Sequence, residues 1–173
     1  KTEKIKIDLM ESDELLSFME LAIYYGESSI VEVDIIKTYN IFLNNKNIST
    51  DDEYRVTFVD AREEEKFELS HIEGSINIPF NSENQYDNSL LDSIKYQNLL
   101  IYCNDSKCTL GYDLAEFLVE NKGFSVIFYF KDGYDGWLLN ELPIKKVDKQ
   151  IDRKFNLIEN LNGEDILIIL SLF

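Results

Sequence analysis

The sequence predicts an α/β domain, with a central, mainly parallel five-stranded sheet flanked by helices on both faces. Three observations carry that expectation. Short apolar or β-branched runs (IVEV, RVTFVD, SINIPF, NLLIYC and SVIFYF) alternate with stretches of helical spacing, as they do in strand–helix–strand units. NLLIYC and SVIFYF are almost continuously apolar, the composition of strands covered on both faces. The chain has 173 residues, 45% of them apolar, enough for one domain with its own core.

Residues 8–25 carry Leu15, Leu16, Met19 and Ala22 at i, i+3 and i+4 type spacing, which predicts an amphipathic helix capped at Ser12 or Asp13. A strand is expected at 30–33, and Asp34 then caps a helix from Ile35 to about Leu43. NNKNISTDDE reads as a polar loop. RVTFVD (55–60) is a strand ending in an acid. REEEKFELSHIEG continues with helical character to a turn at Gly74, and SINIPF (75–80) is a short strand stopped by Pro79. A helix over about 86–96 precedes the strand NLLIYC (98–103). The next helix spans 109–121, with Leu110, Leu114, Phe117 and Leu118 on one side and Gly123 as its C-cap. SVIFYF (125–130) is another buried strand, and KDGYDGW is a turn into a final short helix. These elements divide the chain into an N-terminal helical extension (1–29), a domain (30–145) whose end Pro143 marks, and a C-terminal extension (146–173). That extension holds a helix, a turn at Asn162-Gly163 and the apolar run ILIILSLF.

Acidic residues number 33 against 17 basic, for a net charge of −16. That field repels a phosphate backbone and an anionic membrane surface, so no nucleic-acid partner is expected. Most of this acidity is a well-solvated surface. Two cysteines and one histidine are too few for a disulfide scaffold or a self-contained Cys/His zinc site, so neither metal nor cofactor is expected. The chain opens on Lys1 rather than methionine, which predicts a trimmed N-terminus. Two cysteines fit a reducing cytoplasm, whereas a lost signal or anchor would place the protein at a membrane or outside the cell. ILIILSLF is too short to span a bilayer; it is expected to dock on the domain, join a homodimer, or continue into a membrane anchor or partner-binding region.

Cys103 is where the chemistry concentrates. It ends a central strand, and the loop Asn104–Cys108 runs from it into a helix N-terminus. Ligands of open α/β sheets bind beyond the carboxyl ends of the strands. Loop amides pointing inward can form an anion-binding nest, to which the helix dipole adds positive charge. Both favour a thiolate, the reactive form of cysteine.

The strings VTFVDAREEEKFELSHIEGSINIPF, LLIYCNDSKCTLGYDLAEFLVENKGFSVIFYF and KDGYDGW resemble the rhodanese (sulfurtransferase) family. The likeness covers roughly residues 30–143. It runs in order through Asp-x-Arg, His-Ile-x-Gly-x-x-Asn-Ile-Pro, strand–cysteine–loop–helix and a closing Gly-Tyr-x-x-Trp. The resemblance implies the rhodanese-like fold and a cysteine that takes up sulfane sulfur as a persulfide and passes it to a thiol. Carried over, Cys103 is the sulfur acceptor, and Asn104, Asp105, Ser106, Lys107, Cys108 and Thr109 form the backbone amide cradle. Asp60 and Arg62 are a structural hydrogen bond or ion pair, His71 is a structural histidine at a turn, and Tyr134 and Trp137 are packing residues near the site.

The loop departs from the family pattern. Cys108 stands where arginine is frequent and Thr109 where serine is frequent, and Asp105 adds negative charge that Lys107 offsets. Ser70 and Asp132 replace common glycines. A protein or small-molecule persulfide is therefore expected as donor rather than thiosulfate. The missing arginine argues against the related dual-specificity phosphatases, which hold phosphate oxygens with it. Cys108 is either a small residue filling the base of the loop or a resolving thiol that attacks a persulfide or sulfenic acid on Cys103. The second role requires Cα atoms within about 7 Å. Two further readings stand beside sulfur transfer: a non-catalytic binding or regulatory module, and a thiol redox sensor using Cys103 and Cys108.

Overall fold

A computed structural model describes residues 9–25, 30–50, 52–81, 83 and 86–146. The helix and apolar segment expected beyond residue 148 lie outside the described residues. The elements run α1 (Ser12–Tyr25), β1 (Ile30–Val33), α2 (Ile35–Asn47), β2 (Val56–Asp60), α3 (Glu64–Leu69), β3 (Ser70–Ile72), β4 (Ile76–Asn77), α4 (Asn88–Ile94), β5 (Asn98–Tyr102), α5 (Leu110–Lys122), β6 (Ile127–Phe130), α6 (Gly133–Leu139) and β7 (Ile144–Lys146). Five strands form one sheet in the order β1-β6-β5-β2-β4, and every pair in it is parallel. β5 is central, so its carboxyl end opens onto the middle of the sheet edge where its loop begins.

Alternation along the strands sorts the core into two layers. Phe58, Leu100, Tyr102, Phe128, Phe130 and Trp137 face the α1, α2 and α6 side, where Leu15, Met19, Ile35, Ile41 and Phe42 join them. Val59, Leu99, Ile101 and Ile127 face the other side, against Leu114, Ala115, Phe117 and Leu118 of α5 and Leu91 and Ile94 of α4. The first layer is rich in aromatic edge contacts around Trp137, with Phe42, Phe58, Phe130 and Tyr39 arranged about it. Its indole N–H donates to the Pro143 carbonyl at 2.9 Å. The helix expected as an N-terminal extension thus contributes Leu15, Met19 and Ala22 to the core of the domain.

Three local expectations need correction. The helix α2 continues to Asn47 instead of stopping near Leu43, because the asparagines of the supposed loop are engaged by their neighbours. Asn45 bonds both the N–H and the C=O of Val56 (3.0 and 2.6 Å), and Asn47 donates to the Leu43 carbonyl. The segment after α3 is not helix and turn alone: Ser70–Ile72 forms β3, antiparallel to β7. Pro143 consequently does not end the unit, since β7 follows it. KDGYDGW is the expected turn, at Lys131-Asp132, leading straight into the short helix α6 at Gly133.

Tyr102 is completely buried, receives the Ile72 N–H on its hydroxyl and donates to Ser75 Oγ at 3.2 Å. Burial, reinforced by the charge of Asp60, holds its phenol well above the ordinary value of 10.0, against the opposing effect of those hydrogen bonds. Below that pH both folded and unfolded chains keep the proton, and the contribution to stability is complete. Above it the unfolded chain releases a proton that the folded chain retains, so stability falls by about 1.4 kcal/mol per pH unit for this group. Tyr102→Phe is therefore expected to make the alkaline loss of stability shallower by that share, measured by urea unfolding between neutral pH and the upper tyrosine range.

Candidate active site

At the carboxyl end of β2 a buried ion pair sets the local frame. The Asp60 carboxylate receives the Arg62 Nε–H (3.0 and 3.1 Å to its two oxygens), the Nη2–H (2.6 Å) and the Arg62 backbone N–H (2.9 Å). Both side chains are almost wholly enclosed. Burial alone would lower the Arg62 pKa, but the Asp60 hydrogen bond and charge outweigh it and raise it. The guanidinium also donates to the Ser70 carbonyl at 2.8 Å and lies 3.9 Å over the Tyr134 ring. The Tyr134 hydroxyl donates to Ser70 Oγ at 2.7 Å. Asn77 closes the group from β4, donating to the Asp60 and Arg62 carbonyls. His71 lies on β3, with Nδ1 2.8 Å from the Phe67 carbonyl and its ring stacked on Phe67. Both contacts are to Phe67 of the adjoining α3.

Tyr134 links this frame to the cysteine. Its backbone N–H donates to the Cys103 carbonyl, and that of Asp135 to the Asn104 carbonyl, each at 2.8 Å. The start of α6 therefore grips the chain where β5 leaves the sheet. The approach demands glycine at 133, where φ is +63° and a Cβ would stand 2.6 Å from the Cys103 oxygen. On the other side, Gly111 of α5 lets the helix lie against the Cys103 backbone N, which a Cβ would meet at 3.3 Å. Cys103 itself is 2% exposed.

Asp105 shapes the loop. Its carboxylate accepts the Lys107 N–H at 2.8 Å, two residues on, and its carbonyl accepts the Cys108 N–H at 3.1 Å. The backbone is thereby turned back on itself. This alters the expected cradle: the Lys107 and Cys108 amides bond to Asp105 rather than pointing inward as free donors. The turn returns Cys108 to Cys103, their Cα atoms are 6.2 Å apart, and the two sulfurs form a disulfide. The Tyr129 hydroxyl reaches the Cys108 carbonyl at 3.5 Å. Burial first, then Glu32 and Asp113, raise the Tyr129 pKa, which keeps it a neutral donor. Lys107 and Ser106 are exposed, and Thr109 precedes α5 without capping it by its side chain.

A family model for the rhodanese-like domain matches residues 45–140. The chain belongs to the rhodanese-like domain family. Among solved structures, a protein from Bacillus halodurans is 19% identical, with 78% of this chain and 85% of that one aligned at a TM-score of 0.53. The thiosulfate sulfurtransferase of Pseudomonas aeruginosa is 16% identical, with 76% of this chain but 23% of that longer chain aligned at a TM-score of 0.51. At these identities the likeness establishes the rhodanese fold. A comparison with curated proteins finds no match by sequence.

Within that fold the site residues separate into two groups. Cys103, Asn104, Asp105 and Cys108 come together at the end of β5. Asp60, Arg62 and Tyr134 stand behind them as scaffold, while Trp137 is buried in the core. Tyr129, Gly111, Gly133 and Ser70 were not singled out as site residues from the sequence. Of these, Gly133 carried a signal in the Gly-Tyr-x-x-Trp motif and Ser70 as a departure from the glycine common there. Among the described residues no group of three or more His, Cys, Asp and Glu side chains could hold a metal ion. Nor is any described helix long and apolar enough to cross a membrane. The open hollow of about 400 Å³ lined by Thr50, Asp52, Arg55, Thr57, Tyr96 and Asn98 lies at the amino ends of β2 and β5, opposite the cysteines.

Removing one member of the buried pair leaves the other charged and unmatched, at a cost of about 3–5 kcal/mol. Arg62→Met is expected to lose stability in that range by urea denaturation, and the double variant Asp60→Leu/Arg62→Met to recover much of it. Gly133→Ala should cost at least about 1–3 kcal/mol through backbone strain, with the clash on the Cys103 carbonyl added. The same titration reads both effects.

Proposed function

We propose that this rhodanese-like chain is a sulfurtransferase or persulfide carrier that holds sulfane sulfur on Cys103 and passes it to a thiol. The observation that carries the reading is the position of Cys103 at the carboxyl end of the central strand β5, at the head of the loop that leads into α5, in a chain of this family. That end of a parallel sheet is where ligands of such folds bind, and the amino end of α5 favours a thiolate. In the reduced protein, the Cys103 thiolate attacks the outer sulfur of a persulfide donor, R–S–SH. The donor leaves as R–S⁻, and Cys103–S–SH remains. An acceptor thiolate then takes the outer sulfur and Cys103 departs as thiolate. A protein or small-molecule persulfide suits the loop better than thiosulfate: the Lys107 N–H is occupied by the Asp105 carboxylate, and Cys108 stands where an anion-binding arginine would be.

A specific observation also favours a second reading. The Cys103–Cys108 disulfide is what a thiol redox sensor of this loop would form on oxidation, with sulfur transfer switched off while it persists.

In the Cys108→Ser background, incubating the reduced protein with an alkyl persulfide should add the mass of one sulfur to the peptide bearing Cys103, and adding Cys103→Ser should abolish that adduct. Failure with several sulfane donors would defeat the first reading. For the second, titration with dilute peroxide should remove both thiols of each chain together. Loss of one thiol alone would count against a sensor disulfide.

A further inference from the structure

Cys108 is the residue that the transfer reaction does not use. It lies one turn of loop from the acceptor sulfur, brought back by the two hydrogen bonds that Asp105 makes to the Lys107 and Cys108 amides. Its sulfur reaches that of Cys103 without displacement of the sheet, since the two are bonded across a Cα separation of 6.2 Å. The two sulfurs of a persulfide on Cys103 differ in access. The inner one is the Cys103 Sγ, on a residue that is 2% exposed in the disulfide-closed loop and whose backbone N and carbonyl lie against Gly111 and Gly133. An external thiol therefore meets the outer sulfur. The inner sulfur is within reach of one nucleophile on the loop, the half-buried Cys108.

Resting on the persulfide reading above, we propose that Cys108 discharges the Cys103 persulfide by attacking its inner sulfur, so that the protein releases hydrosulfide and closes to the Cys103–Cys108 disulfide. The Cys108 thiolate forms the new S–S bond to Cys103 Sγ. The bond from that sulfur to the outer one breaks, and the outer sulfur leaves with the electron pair and its proton as HS⁻. The sulfane sulfur is reduced to sulfide, and the two thiols are oxidised to one disulfide. A dithiol reductant then reopens the loop, giving two thiols and its own disulfide. Outer-sulfur attack by an acceptor thiol and inner-sulfur attack by Cys108 are competing exits. Well-oriented intramolecular reactions reach effective molarities of about 10⁵–10⁸ M, so a Cys108 attack that realises even a small part of that advantage prevails over a dilute external thiol. The chain is thereby a sulfide-releasing persulfide reductase whenever the acceptor is scarce and dithiol is present.

A single-turnover experiment decides the matter. The full chain is reduced, freed of reductant and mixed with one equivalent of an alkyl persulfide, and hydrosulfide, persulfide and disulfide are followed by trapping and mass spectrometry. The wild-type protein should release close to one hydrosulfide per chain and end as the disulfide, reopened by dithiothreitol. Cys108→Ser and Cys108→Ala, the second guarding against a folding defect peculiar to the first, should retain persulfide on Cys103. Their hydrosulfide release should be slower by at least about tenfold, a small part of the intramolecular advantage. Equal persulfide retention in wild type and both variants overturns this inference and leaves the transfer reading standing. No persulfide in any of them defeats both. Disulfide without hydrosulfide means direct oxidation of the pair and also overturns it.

Discussion

The ion pair of Asp60 and Arg62 is the constraint on which the end of the sheet depends. One carboxylate takes four hydrogen bonds from one residue two positions along the chain, so β2 must turn sharply where it leaves the sheet. The guanidinium then has one edge on Ser70 and one face on Tyr134. Through those contacts a single charge fixes β3 and α6. A buried pair of this kind contributes little net stability compared with apolar side chains of similar volume. Its value here is positional, because a planar donor fork satisfies several partners in one geometry.

What it positions is the backbone rather than the sulfur. The frame reaches Cys103 through Tyr134, whose ring rests on Arg62 and whose N–H holds the Cys103 carbonyl. A main-chain grip makes no use of the side chain at 103 but leaves no room for a Cβ at 133. The strand end is thus rigid and the residues beyond it are shaped by local bonds to Asp105. Rigid scaffold and locally determined loop is the division expected where chemistry is carried on loops.

Much of this was legible in the sequence. Alternating apolar runs gave the parallel sheet, and the continuous runs NLLIYC and SVIFYF gave its centre. Asp34 announced the start of α2 and indeed accepts the Lys37 N–H at 2.8 Å. The errors share a cause. Asn45 and Asn47 read as loop residues because their local preference is for turns, yet their partners are backbone groups of β2 and of α2 itself. Likewise β3 exists only because β7, more than seventy residues away, pairs with it, and no local pattern in SHI foretells that. At the site, Cys103 stood out because a strand end and a helix start flank it. The role of Asp105 could have been read from its spacing to Lys107, since aspartate bonding the amide two residues on is a common turn. The contribution of Tyr129 could not, because it crosses from another strand.

The substitution of cysteine for arginine at 108 and the presence of aspartate at 105 are best understood together. An arginine at the end of the loop would add a fixed positive charge. With Asp105, the loop supplies its own anion to its own amide, and the backbone is already turned before any ligand arrives. A long cationic side chain then has nothing to hold. A short residue that returns toward the strand end has a partner in Cys103. Asp105 makes the turn and Cys108 uses it, so replacing either alone would leave the other without its structural counterpart. The loop is consequently organised around the approach of its two ends.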